Sequence, residues 1–179
     1  MIYYHTPYHV GGNLGKYYND VCSGLKPGDH VCFTDRDTWF PYPRYGDIIA
    51  NCVDRGFDLL TCYTNRVARD FQTINKRFWN VEPANAHTTI AADLAKQHGD
   101  MIVDVTDEEY TPSGMLLLLS CESWKHYGPF KEEGILYVDT DFGNRVKNQG
   151  GRIGLMTGVY VWHYYRNGNI YDQRHLDVK

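Results

Sequence analysis

Two acids one residue apart, Asp35 and Asp37, close the apolar run Val31-Cys32-Phe33-Thr34 and stand just before Trp39-Phe40. Residues i and i+2 of an extended chain project to the same side, so both carboxylates can converge on one cation. A hard divalent ion prefers oxygen ligands and leaves coordination positions for phosphate oxygens. With 16 Asp in the chain, chance placement gives roughly one or two Asp-x-Asp pairs, so the spacing alone is weak and a solvated turn explains it equally. What raises this pair above its surroundings is its place after a buried run. A second pair, Asp139 and Asp141, precedes a helical pattern, where either acid could simply be a helix N-cap. His163, after Val159-Tyr160-Val161-Trp162, can be a metal ligand or a buried, hydrogen-bonded core histidine.

These residues need a scaffold that brings strand ends together. Ile2 to His5 reads as a first strand, and a helix starts near Gly15, carries Tyr17, Tyr18, Val21, Cys22 and Leu25, and stops by Pro27-Gly28. Val31 to Phe33 lacks polar alternation, as a strand buried on both faces does, which puts Asp35 and Asp37 at its carboxyl end. Ligands of open α/β sheets bind at that end. Tyr45 to Arg55 repeats apolar residues at helical spacing before Gly56, Phe57 to Tyr63 is a strand, and Ala86 to His98 is an amphipathic helix. Met101 to Val105 and Met115 to Ser120 read as strands, and Cys121 to Tyr127 as a short helix. A strand ending at Tyr137-Val138, a helix through Phe142, Arg145 and Val146, and two strands, Arg152 to Met156 and Val159 to Trp162, complete the pattern. Residues 65 to 85 show no clean period and read as a connector over the sheet edge. The alternation predicts a single-domain α/β/α sandwich, residues 1–179, with a mostly parallel central sheet.

The 179 residues carry a net charge of −4 and a pI near 6.0, with no Lys/Arg cluster along any segment, which argues against nucleic acid as the main partner. Five cysteines without a Cys-x-x-Cys pair read as reduced core residues. No apolar run approaches transmembrane length and no signal peptide opens the chain, so a cytoplasmic protein is expected. At 15% aromatic content, pairs such as Tyr17-Tyr18 and Tyr164-Tyr165 could stack on sugar rings or bases, although aromatics more often fill the core.

In order and spacing, four blocks resemble the family 2 glycosyltransferases and their relatives of the GT-A fold. Gly15-Lys16-Tyr17-Tyr18-Asn19 resembles the family's glycine-to-asparagine helix start, and Pro27 through Asp37 its turn, strand and Asp-x-Asp. Ser113-Gly114 through Leu119, with Glu122-Ser123-Trp124 and Gly128-Pro129-Phe130, is similar to the strand and helix that lead to the family's Gly-Gly-Phe turn. Asp139-Thr140-Asp141-Phe142, Arg145 and Gly151-Arg152-Ile153 resemble the segment that holds the catalytic base, and Val159 through His163 the late strand whose histidine completes the metal site. Val138 stands where the family usually has Glu, and one strand precedes the Gly15 helix where the family has two.

The resemblance implies a metal-dependent transferase that moves a sugar, with inversion, from a nucleotide-diphosphate sugar, UDP-sugar in the first place, to a carbohydrate, lipid-linked or protein hydroxyl. It implies Mn²⁺ or Mg²⁺ held by Asp35, Asp37 and His163, and Asp139 as general base. It also implies that Thr6, Pro7, Lys16, Asp35, Ser113 and Gly114 contact the sugar nucleotide, with Lys16 at a helix start where anions are favoured. A surface role for Lys16 is an equal reading. Two rival classes remain: a sugar-nucleotide-binding protein without turnover, favoured by Val138 and the short front, and a metal-dependent phosphohydrolase using both acid pairs.

Overall fold

The computed structural model describes residues 1–7, 11–79, 81 and 83–164. Tyr165, half of one aromatic pair singled out above, lies outside them. The protein is mixed α/β, and its chain divides into two compact units that interleave in sequence: residues 1–36, 53–61 and 104–154 form the first, and 37–52, 62–103 and 155–179 the second.

The first unit is built on β2 (His30–Thr34), whose five residues are all buried. Its neighbour β1 (Ile2–His5) runs parallel in register Ile2↔His30 to His5↔Phe33. On the other side β6 (Leu116–Ser120) runs antiparallel, His30↔Ser120 to Thr34↔Leu116, and β6 is again antiparallel to β4 (Leu59–Thr64) at Leu60↔Leu118. β1, β2 and β4 therefore share a direction and β6 opposes them. Leu116 through Leu119 are buried without alternation, and such a run reads the same in either direction, which is why the sequence suggests no reversal.

Helix α1 (Leu14–Ser23) starts on Asn13, whose side chain accepts the Lys16 N–H at 2.9 Å. Gly15 has a packing reason: a Cβ there would sit 1.9 Å from the Lys131 carbonyl oxygen. Buried Asn19 holds the turn after α4 (Cys121–Tyr127) from both ends, donating to Phe130 O at 2.9 Å and accepting Phe130 N–H at 2.7 Å. The strand expected to end at Tyr137-Val138 is absent. Residues 133–137 are bends that leave Ile135, Leu136 and Tyr137 exposed, Tyr137 is left-handed at φ 65°, and α5 (Val138–Asn148) begins directly after it. Apolar content without a buried face to match it misleads a sequence reading here. Arg145 ties α5 to the turn after α4, donating to the carbonyls of Tyr127 and Pro129 and to Asp141.

In the second unit the strand order is β4, β7 (Ile153–His163), β3 (Thr38–Trp39). β7 is one strand where two are expected. Gly158 does not break it; a Cβ at that position would lie 1.9 Å from Gly99 O, so the glycine serves a close backbone approach. β3 pairs antiparallel with β7, Thr38↔His163 and Trp39↔Trp162. Helices α2 (Tyr45–Cys52) and α3 (Ala84–His98) pack in this unit, with Ala91 of α3 in a cluster with Tyr160 and Trp162. The segment that lacks a period contains two 3₁₀ turns, Asp70–Gln72 and Lys76–Phe78, and buries Asn65, Arg66 and Gln72. β5 (Ile102–Asp104) pairs with β7. All five cysteines are buried and none forms a disulfide. Among the described residues no helix is long and apolar enough to cross a membrane.

Candidate functional site

The second unit brings Asp37 and His163 together. Asp37 immediately precedes β3, its carbonyl accepts the Tyr164 N–H at 2.7 Å, and the β3/β7 register fixes His163 beside it. The backbone N–H of His163 donates to Asn65 Oδ1 at 2.8 Å, and its Nδ1 lies 2.7 Å from the Arg66 carbonyl oxygen. A carbonyl only accepts, so Nδ1 carries a proton, and in the neutral ring it is Nε2 that holds the lone pair. That nitrogen is 3.6 Å from Asp37 Oδ2, too long for a hydrogen bond. Two ligands on one divalent ion at about 2.1 Å each, meeting near 90–110°, stand roughly 3–3.5 Å apart, close to this separation. A carbonyl on the far nitrogen is the usual support of a metal-binding imidazole. A carboxylate oxygen suits Mg²⁺ and Mn²⁺, whereas an imidazole nitrogen suits Fe, Ni, Cu and Zn, so this donor pair does not single out one divalent ion.

Another histidine of this unit escapes the sequence reading. His87, on α3, is fully buried, with Nε2 donating to Val81 O at 2.8 Å and Nδ1 accepting from the Tyr160 hydroxyl at 2.7 Å. Its ring stacks on Trp162 at 4.4 Å and 13°. Burial, more than the nearby Arg66 charge, pushes its pKa below the ordinary histidine value, while the Val81 contact acts in the other direction. A signal does exist in the sequence: His87, Ile90, Ala91 and Leu94 follow helical spacing on one face.

The first unit gathers other predicted residues. Asp35 follows β2, and its N–H donates to Met115 O at 3.2 Å. Thr6 and Thr34 share a hydroxyl hydrogen bond of 2.8 Å, and Pro7 is buried. Asp139, in the first turn of α5, accepts the Gly114 N–H on Oδ2 at 2.6 Å and the Thr140 N–H on Oδ1 at 2.8 Å. The close approach explains the glycine, since a Cβ at Gly114 would meet Asp139 Cβ at 3.1 Å. Ser113-Gly114 and Asp139 are thus one local assembly. Asp141 instead pairs with Arg145 at 3.0 Å. Lys16 lies on the exposed side of α1 with Nζ 2.9 and 2.8 Å from the two carboxylate oxygens of Asp20, and this pairing raises its pKa. Its charge is therefore already answered by a neighbouring carboxylate.

No protein-family model matches the chain, and no curated protein matches it.

Proposed function

We propose that the chain is a metal-dependent glycosyltransferase of GT-A type, moving a sugar from a nucleotide-diphosphate sugar, UDP-sugar first, to a hydroxyl acceptor. The observation that carries the reading is His163, pinned by the Arg66 carbonyl so that the Nε2 lone pair meets Asp37. Asp37 and His163, with Asp35 as the further ligand two positions back along the chain, would hold Mn²⁺ or Mg²⁺. Such an ion, when bound, supplies Lewis-acid stabilisation of a departing diphosphate. The protein's own groups do the remaining work. The Arg66 carbonyl and Asn65 side chain keep His163 in one tautomer and orientation. Asp139 Oδ2 or Oδ1 takes the proton of the acceptor hydroxyl, and the two backbone donors on this carboxylate hold it in place for that transfer. Thr6, Pro7, Ser113 and Gly114 contact the donor, and Lys16 stays in its surface pair with Asp20.

Incubation with radiolabelled UDP-glucose, UDP-galactose and UDP-N-acetylglucosamine tests this reading. Manganese-dependent release of free sugar or formation of a glycoside is expected, and chelator should abolish it. Absence of turnover with every donor and acceptor offered would contradict it.

A second reading, sugar-nucleotide binding without turnover, has one observation in its favour. Both Asp139 oxygens already accept backbone hydrogen bonds, and Val138, where the resembled family has Glu, is fully buried. Under that reading the same titrations give binding with no product.

A further inference from the structure

Asp35 follows the carboxyl end of β2. At the other end of that strand, roughly 16 Å away, His30 opens onto a cleft of about 680 Å³. That volume is in the range of small-molecule sites. Asp54, Asp58 and Glu122 line the cleft together with His30, His126 and Ser120, and no lysine or arginine lines it. All of these residues belong to the first unit.

The three acids are held in place but not neutralised. Glu122 accepts the Gly28 N–H at 2.9 Å, and this bond first, then its own backbone N–H, keeps its carboxyl below the ordinary glutamate value. Asp58 accepts the Arg152 backbone N–H at 2.8 Å. Asp54 stands at φ 64° with its side chain 82% exposed. Among the described residues none of the three pairs with a lysine or arginine side chain, whereas Asp20, Asp47, Asp104 and Asp141 all do. The Arg152 guanidinium is engaged by Asp104, the Gly56 carbonyl and the ring of Phe57.

His30 is a second and separate mark of a ligand. It is 9% exposed and opens a strand that continues Val31-Cys32-Phe33, where packing alone favours an apolar side chain. Its ring nitrogens make no hydrogen bond among the described residues. The carboxylate beside it, Asp54 Oδ1, stands 3.5 Å from Nε2, long for a hydrogen bond. A polar edge so nearly removed from water is a cost to the fold unless something in the cleft satisfies it.

We propose that the cleft binds a small organic cation with two or more separated ammonium groups, a diamine or polyamine, whose charges Asp54, Asp58 and Glu122 answer while the neutral His30 ring accepts one N–H. A single metal ion fits less well, because among the described residues no three ligand atoms of this cleft lie within 4.8 Å of one another. An anion would meet three carboxylates and no fixed cation. The site stands apart from the transferase reading, and neither needs the other.

The test uses the full chain with histidine labelled with ¹⁵N, the His30 signals being assigned by His30→Gln. Putrescine and spermidine are titrated, with NaCl and MgCl₂ at matched ionic strength as controls. Spermidine should bind saturably at one per chain and move the His30 signals, putrescine should do so more weakly, and the two salts should leave them unmoved. Asn suits the left-handed backbone of Asp54→Asn, and Glu122→Gln keeps an acceptor for the Gly28 N–H, so both variants should melt with the parent. Each should weaken spermidine binding roughly threefold to fivefold, and the double variant about tenfold or more. No saturable amine binding, His30 signals moved as far by MgCl₂ as by spermidine, or parental affinity in the double variant would each overturn the proposal. A lysine-rich peptide that binds and moves His30 where both amines fail would overturn it too, making the cleft a protein-docking surface.

Discussion

Asp139 in the first unit and His163 in the second are both pinned by the backbone, but by opposite ends of the peptide group. Asp139 is gripped by donors, the N–H groups of Gly114 and Thr140. His163 is gripped on its ring by an acceptor, the Arg66 carbonyl. Donors fix a carboxylate as an anion in one place, whereas an acceptor on one imidazole nitrogen fixes a tautomer and turns the other nitrogen's lone pair outward. The first arrangement holds a carboxylate in place and engages both of its oxygens. The second suits a ligand, and the partner at 3.6 Å is a carboxylate.

The largest effect should come from breaking the first arrangement chemically while keeping its shape. Asp139→Asn retains an acceptor for the Gly114 N–H, so the fold should hold to within about 1 kcal/mol, the size of one hydrogen bond. If Asp139 is the base, single-turnover transfer should drop roughly 10²- to 10⁴-fold. Asp141→Asn is the control: it loses a partly exposed pair with Arg145 worth about 1 kcal/mol or less, and its rate should match the parent. A parental rate in Asp139→Asn returns that residue to helix-start structure alone and favours the binding-only reading.

Next in size is Asp37→Ala. Calorimetry in Mn²⁺ should give UDP-sugar affinity lowered to the level the parent shows in chelator, because the ion loses a protein ligand and no longer bridges to the diphosphate. In chelator the variant and parent should bind alike. Undiminished affinity in Asp37→Ala with Mn²⁺ present would remove the carboxylate from the proposed ion.

The smallest effect separates His87 from His163. Because His87 has its pKa lowered by burial, the unfolded chain takes up a proton that the folded protein resists. Stability is therefore complete above the ordinary histidine value near 6.5 and declines as pH falls below it toward the depressed folded value. Urea midpoints from pH 7.5 to pH 5 should fall more steeply for the parent than for His87→Gln. Parallel declines would show that His87 carries no such linkage.

Much of this was legible in local pattern. The helix Cys121 to Tyr127, the strand ends before Asp35 and at His163, and the start of α1 near Gly15 follow from apolar runs bounded by Gly and Pro. Features set by distant partners were not. The reversed direction of β6 depends on its pairing with β2 and β4, and four buried leucines carry no directional mark. Gly158 looks like a strand break until Gly99 is found against it. For the candidate site, Asp37 and His163 could be named as residue types, but the carbonyl that orients His163 belongs to Arg66, 97 residues earlier and in a segment without periodicity. Asp139 was recognisable at a helix start, whereas its bond to Gly114 spans 25 residues.

The central claim, that His163 Nε2 ligates a cation together with Asp37, is tested most directly by electron spin-echo spectroscopy of Mn²⁺ bound to protein with ¹⁵N-labelled histidine, in the presence of UDP. A nitrogen coupling to manganese is predicted in the parent, and it should vanish in His163→Ala while persisting in His87→Gln. Bound manganese with no nitrogen coupling, a coupling that survives in His163→Ala, or no manganese binding at all would contradict the account.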